Sequence, residues 1–192
     1  MTRVYGPAED SMLLLRNIEG RVYGSVLDMG TGSGIHAITA AREIRVTRVV
    51  AVDIDPEAVE LTRKRAEEQG VSERIEFRVG DLFEGLEGML FDWILFNPPY
   101  LPSDGTVDEA SWSGGESGIE VIEKFLREAI SHLMPSGAIL MVYSSQTGLD
   151  IEAVEMDYVV EVLEDFPLFF EVLYCLLLRP FSPSVGPGRN RL

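Results

Sequence analysis

Short apolar runs alternate with segments of helical periodicity along this chain. Met12, Leu14, Leu15 and Ile18 recur at helical spacing within Pro7 to Ile18. The pattern predicts a helix there, capped by Asp10 or Ser11 and ended by Gly20. Val26 to Met29 reads as a buried strand, and Ile35, Ile38, Ala41 and Ile44 mark a second helix. Arg48 to Val52 is the next strand. Asp55 then caps a helix with Pro56 at its first position, apolar on Ala58, Val59, Leu61 and Ala66, and ended by Gly70. Arg74 to Val79 and Phe91 to Phe96 give a third and a fourth strand. Ile119, Ile122, Leu126, Ala129, Ile130 and Leu133 form a helical stripe. Pro135-Ser136-Gly137 predicts a turn into a fifth strand, Ala138 to Tyr143. Gly148 to Met156 predicts a short helix. Tyr158 to Leu163 and Phe170 to Leu178 predict a closing hairpin.

Strands alternating with helices imply an α/β fold, a parallel sheet covered on both faces. Two consecutive strands at the end imply that one of them inserts antiparallel. The expected organisation is one domain over residues 1–179 and a flexible tail from 180 to 192, which holds three prolines and two glycines. Leu101 to Gly118 is long, polar and glycine-rich, the composition of a functional loop.

Composition narrows the function. The chain has 192 residues, 46% hydrophobic and 25% charged, as in a globular protein. No apolar stretch reaches the ~20 residues of a membrane span. Met1 to Pro7 has no apolar signal core, so a cytoplasmic protein is expected. The single cysteine, Cys175, lies in an apolar run and is expected to be buried. One cysteine with two histidines, His36 and His132, argues against a disulfide framework and a metal centre. The formal net charge is −16, with 16 bases against 32 acids. Duplex binders neutralise phosphates with Lys and Arg, so a free-standing enzyme of duplex nucleic acid is disfavoured. A cationic ligand is favoured, and a basic protein partner, or a partner subunit that supplies nucleic-acid contacts, stays open.

Three strand ends carry chemistry. Asn97-Pro98-Pro99-Tyr100 follows Trp93-Ile94-Leu95-Phe96. A polar amide, two prolines and a ring there make poor core and a good clamp for a planar, nitrogen-bearing group. Asn97 offers a carbonyl acceptor, Pro98 keeps a carbonyl whose direction its ring restricts, and Tyr100 can stack on a flat substrate. Two acceptors converging on an –NH2 group suit transfer chemistry at that nitrogen. Upstream, Asp28 stands two residues before Gly30-Thr31-Gly32-Ser33-Gly34, between a strand and a helix. This is the nucleotide-binding place of doubly wound folds. The dinucleotide fingerprint puts its glycines first, third and sixth; here they fall first, third and fifth, with Ile35 in the sixth place. That departure and the acid favour S-adenosylmethionine, which has an ammonium group and no pyrophosphate. Asp53 closes the second strand, about twenty residues past the glycines, where an acid meets ribose hydroxyls. Asp81, after the run Ile75, Phe77 and Val79, can accept from an adenine amino group.

Together these residues resemble the class I S-adenosylmethionine-dependent methyltransferases. Within them the chain is similar to the HemK group, which methylates the glutamine of the Gly-Gly-Gln motif in translation release factors. The nearest resemblance is to its short archaeal and eukaryotic branch, which lacks the N-terminal helical domain of the bacterial enzymes. The branch is marked here by Val4-Tyr5-Gly6-Pro7-Ala8-Glu9-Asp10-Ser11, by Asn97 to Tyr100, and by Trp112-Ser113-Gly114-Gly115 with Gly118. The resemblance implies a Rossmann-like, mostly parallel seven-stranded sheet with one antiparallel strand near the C-terminus. It implies that Tyr5, Pro7 and Ser11 enclose the cofactor and that Asp28, Gly30, Thr31, Gly32 and Gly34 line its methionine end. It further implies that Asp53 and Ile54 meet the ribose side, Asp81 and Leu82 the adenine, and Asn97 and Pro98 the target amide. Trp112 to Gly115 would approach the substrate loop. A release factor as substrate and a small zinc-binding activator subunit are the implied partners. The residues themselves leave open an adenine or guanine amino group, another protein side chain such as lysine, and a non-catalytic binding module.

Overall fold

Each predicted strand becomes a rung of one sheet. A computed structural model of the chain describes residues 9–98 and 118–181. Its elements run α1 (Glu9–Ile18), β1 (Gly24–Met29), α2 (Ile35–Arg42), β2 (Val46–Asp53), α3 (Pro56–Glu68), β3 (Ile75–Val79), β4 (Phe91–Phe96), α4 (Gly118–Ala129), β5 (Leu133–Ser144), α5 (Ile151–Val154), β6 (Tyr158–Pro167) and β7 (Val172–Pro180). The seven strands lie in the order β3-β2-β1-β4-β5-β7-β6. β1 to β5 are mutually parallel. β7 inserts antiparallel between β5 and β6. This is the class I methyltransferase sheet, with the antiparallel strand where the closing hairpin was expected.

Two apolar layers cover the sheet. On one face Leu13, Leu14 and Ile18 of α1 join Ala37, Ile38 and Ala41 of α2 against Val26, Val49, Leu140, Val142 and Cys175. On the other, Ile122, Phe125 and Leu126 of α4 pack with Phe83 and Leu86 on Leu27, Val50, Ile94, Phe96 and Met141. The central strands are buried on both faces, which is why they read as near-continuous apolar runs rather than alternating ones. Cys175 is buried, and burial pushes its thiol up to about 12. Among the described residues no helix is long and apolar enough to cross a membrane.

Local chemistry sets several boundaries. Asp55 caps α3 by accepting from Glu57 N at 2.8 Å, with Pro56 following. Asp150 caps α5 in the same way through Ala153 N, and that helix is a single turn, Ile151–Val154, shorter than the Gly148 to Met156 expected. Three further expectations are corrected. Ile44 does not belong to the apolar face of α2; the helix ends at Arg42 and Ile44 is 94% exposed. Pro135-Ser136-Gly137 is not a turn before the fifth strand but an irregular stretch inside it. Phe91 pairs with Leu133, and Trp93 already with Ala138. Gly137 permits this, because a Cβ there would lie 2.8 Å from the Phe91 carbonyl oxygen. Phe170 is not in a strand either; β7 begins at Val172.

Candidate active site

The carboxyl ends of four parallel strands come out level. Met29 pairs with both Val52 and Phe96, and Asp53 pairs with Val79. The glycine turn, Ile54, Asp81 and Asn97 therefore leave the same edge of the sheet side by side. This is the crevice where open α/β sheets hold ligands.

The glycine turn is held from below and from both sides. Asp28, only 1% exposed, accepts through Oδ2 from Thr31 Oγ1 at 2.7 Å and from Ala37 N at 3.0 Å. Burial dominates its electrostatics and pushes its carboxyl above the ordinary carboxylate range, against the pull of His36 and these two donors. Thr31 N donates to Val52 O at 2.9 Å. Asp53 accepts from Gly32 N at 2.8 Å and from Asp55 N at 3.0 Å, and burial raises its carboxyl as well. From α3, Thr62 Oγ1 donates to Gly32 O at 3.2 Å, and Arg65 Nη1 to Ser33 O at 2.8 Å. Neither Thr62 nor Arg65 stood out in the sequence. Their only signal is position, one and four residues after Leu61 on a helix that follows the second acid.

The three glycines divide by what surrounds them. A Cβ on Gly30 would meet nothing within 4 Å, and one on Gly32 only the Gly30 carbonyl at 3.8 Å. These positions face open space on the ligand side. A Cβ on Gly34 would instead lie 2.7 Å from Thr62 Cγ2. Gly34 is thus a packing glycine between α2 and α3, and at φ +79° it occupies the left-handed region.

Farther along this edge, Ile54 is 51% exposed and offers an apolar surface beside Asp53. Asp81 accepts from Lys124 Nζ of α4 at 2.7 Å. Leu82 is buried and is the only described non-glycine residue with positive φ, at 50°.

Asn97 is the centre of the arrangement. Its Nδ2 donates to Asp10 Oδ2 at 3.2 Å and to Ser11 Oγ at 3.3 Å, both in the first turn of α1. A carboxylate can only accept, so these bonds fix which end of the amide is nitrogen. Oδ1 must then point the other way, and it is buried with no hydrogen-bond partner among the described residues. A buried acceptor left unpaired is costly and asks for a donor. His36 of α2 ties the two halves of the site together. Its Nε2 lies 3.0 Å from Ser11 O, and its Nδ1 lies 4.0 Å from Asp28 Oδ1. Since a carbonyl only accepts, Nε2 carries the proton. Pro98 follows Asn97 and is buried. Tyr5, Pro7, Tyr100 and Trp112 to Gly115 lie outside the described residues.

The carboxyl-edge crevice lies beside a buried amide acceptor that has no partner among the described residues, and comparison with known proteins decides the family. The model of the methyltransferase small domain matches residues 8–164. The chain belongs to this methyltransferase family. Its methyl donor is S-adenosylmethionine. A protein of Methanocaldococcus jannaschii named as a protein N5-glutamine methyltransferase is 40% identical over 150 residues, 76% of this chain and 74% of the relative. The release factor glutamine methyltransferase of Koribacter versatilis is 35% identical over 156 residues, 75% of this chain but 52% of the relative. The chain therefore spans about half the length of that bacterial protein. Among solved structures, TrmN from Thermus thermophilus matches with a TM-score of 0.67 and 25% identity, over 88% of this chain and 48% of that one. The methyltransferase reading also fits the site on its own terms. Gly30 and Gly32 leave a cradle without side chains, two buried carboxylates brace it, and the unpaired Asn97 Oδ1 stands at its end.

Proposed function

We propose that this methyltransferase acts on the side-chain amide of glutamine in the Gly-Gly-Gln motif of a translation release factor. The observation that carries the reading is the buried Asn97 Oδ1, which makes no hydrogen bond within the described residues while its Nδ2 is anchored by Asp10 and Ser11. A primary amide brings two N–H donors in one plane. Asn97 Oδ1 takes one and the Pro98 carbonyl takes the other. The relatives' names add support, since they describe glutamine methylation at 35 and 40% identity.

An amide nitrogen is a weak nucleophile because its lone pair is delocalised into the carbonyl. S-adenosylmethionine, when bound, supplies an electrophilic methyl group on a positively charged sulfur. The chain's residues do the rest by placement. Asn97 and Pro98 hold the two N–H bonds so that the face of the nitrogen carrying its lone pair is turned toward the cradle and its pyramidal form is favoured, and one N–H proton is released to water after the transfer. Tyr100, outside the described residues, supplies a ring able to stack on a flat amide. Asp28, working through Thr31 and Ala37, fixes the peptide groups that face the methionine end, while Asp53 and Ile54 meet the ribose side and Asp81 and Leu82 the adenine. Asp81 is held by Lys124 in this structure, so the adenine amino group uses its second oxygen or displaces the ammonium. Holding reactants in line contributes on the order of 7–11 kcal/mol, enough to make placement the main source of rate.

A small zinc-binding activator is part of the proposal as a partner. β3 and β6 are the two outer strands of the sheet and offer their edges to it. The reading that competes, an exocyclic amino group of adenine or guanine, uses the same clamp with Tyr100 against the base. The net charge of −16 weighs against it.

The test is transfer of label from S-adenosylmethionine to the release factor of the same organism, with and without a candidate activator. A factor whose Gly-Gly-Gln glutamine is replaced is the companion substrate. Label on the normal factor alone is expected. Asn97→Ala is expected to lose most of that transfer and to keep its calorimetric affinity for the donor. Equal label on both factors, or turnover by Asn97→Ala like that of the natural chain, would overturn the amide clamp.

A further inference from the structure

The turn between β6 and β7 presents Phe169 and Phe170, 92% and 81% exposed, at the same end of the molecule as Asn97. They are the most exposed aromatic residues among those described. The topology puts them there. Asn97 follows Phe96, which pairs with Met141, while Ser144 pairs with Leu173. The antiparallel turn before Leu173 therefore projects beyond the carboxyl edge on which the acceptor site lies. Strand spacing sets it about 10–14 Å to the side of Asn97 and about as far above it.

The turn is rigid. Ser145 N donates to Val172 O at 2.8 Å, and Val172 N donates to Ser145 Oγ at 3.0 Å. Gln146 Nε2 donates to Phe170 O at 2.8 Å, and Leu168 N to Glu171 O at 2.8 Å. The buried Ser144 hydroxyl donates to the Glu171 carboxylate and receives Gln146 N at 3.0 Å. The neighbouring apolar residues Phe166 and Leu168 turn inward onto the core. Phe169 and Phe170 turn outward, edge to face at 4.5 Å between ring centroids. Two rings held outside the core on a braced turn cost little conformational entropy on binding, the usual property of an interface anchor. The end of the hairpin beside them carries Asp165 and Glu171, while Glu164 is paired with Arg16 and Glu161 with Arg179.

We infer that the Phe169–Phe170 turn is the docking point for the methyl-acceptor protein, gripping an apolar depression rimmed by lysine and arginine away from the glutamine itself. The inference rests on the proposed function above and adds to it a second contact that sets affinity for the whole protein rather than the rate at the amide. The acceptor protein is the fitting occupant because it must already lie across this edge to reach Asn97, and because the acidic hairpin favours a basic partner.

The test compares the natural chain with the double variant Phe169→Ser, Phe170→Ser. Both residues are exposed, so the fold and donor affinity are expected to stay unchanged. KM for the release factor is expected to rise on the order of tenfold or more, with kcat at saturation unaltered. A pentapeptide centred on Gly-Gly-Gln reaches only about 7 Å to either side of its middle, too short to touch the turn. Its KM should therefore be the same for both chains. A natural chain that labels the factor, with a double variant of unchanged KM, would overturn the docking point and leave the proposed function standing. A natural chain that binds donor but labels neither factor nor peptide would overturn both. A dimer in gel filtration that dissociates in the double variant would overturn the inference in favour of a second copy as occupant.

Discussion

Gly34 and Gly30 belong to one short turn and are expected to fail differently. An alanine at Gly34 would combine positive φ with a Cβ 2.7 Å from Thr62 Cγ2. Left-handed strain and overpacking together should destabilise by about 2–4 kcal/mol, read from urea unfolding. Gly30→Ala carries only the strain, about 1–2 kcal/mol, because its Cβ would enter open space. Its main effect should be weaker donor binding by calorimetry. Asp28 gives a second prediction at this scale. Burial raises its carboxyl above the unfolded value, so between the two values the folded chain binds a proton that the unfolded chain releases. Stability contributed at this position is then greatest below the unfolded pKa and falls as pH rises toward the folded one. Asp28→Asn keeps an acceptor for Thr31 and Ala37 and cannot ionise. The difference in Tm between the variant and the natural chain should move in the variant's favour from about pH 4 upward. The residues that brace the turn from the strand side, Asp28 and Asp53, were legible because they sit at fixed offsets from the glycines. Thr62, Arg65 and His36 were not, because each acts across a tertiary contact that leaves no local pattern.

α1 illustrates what an element contributes beyond its own residues. It lies over β5, β7 and β6 and presents its first turn to Asn97. Two kinds of contact hold it. Arg16 meets Glu164 at 2.8 Å on the surface, both side chains more than a third exposed. Leu13 and Leu14 are fully buried. Burial should dominate. Leu14→Ala is expected to cost about 2–5 kcal/mol and Arg16→Ala less than about 1 kcal/mol, both by denaturant unfolding. The apolar face of α1 was readable from its period, and its end from Gly20. What its first turn does was not, because Asp10 and Ser11 look like ordinary capping residues until the fold brings them to Asn97, 87 and 86 positions along the chain. The irregular start of β5 was misread for a related reason. Pro135-Ser136-Gly137 has turn chemistry locally, and only its pairing with β4 keeps it in the sheet.

At the scale of the whole molecule, sheet order and charge matter most. Alternating elements made the parallel sheet and its antiparallel strand legible, because central strands buried on both faces and a closing hairpin each have their own patterns. The chain, with 32 acids against 16 bases, is expected to draw in a basic acceptor protein and to disregard free RNA. KM for the release factor should therefore rise as salt is raised from about 0.05 to 0.5 M, over which the Debye length shrinks from about 14 to 4 Å. An excess of bulk transfer RNA should leave the rate unchanged. Steady-state kinetics with and without each addition checks both.

The first helix and the last strands meet over the middle of the chain, and this orders events during synthesis. The glycine turn, both buried carboxylates and Asn97 all leave the ribosome before β5 begins. The amide of Asn97 is nevertheless oriented by α1, whose seat is built early from α2 and late from β5, β7 and β6. A nascent chain that has just made the glycine turn therefore holds only part of the surface that keeps its acceptor in line. That surface is complete once β7, the last described strand, is in place.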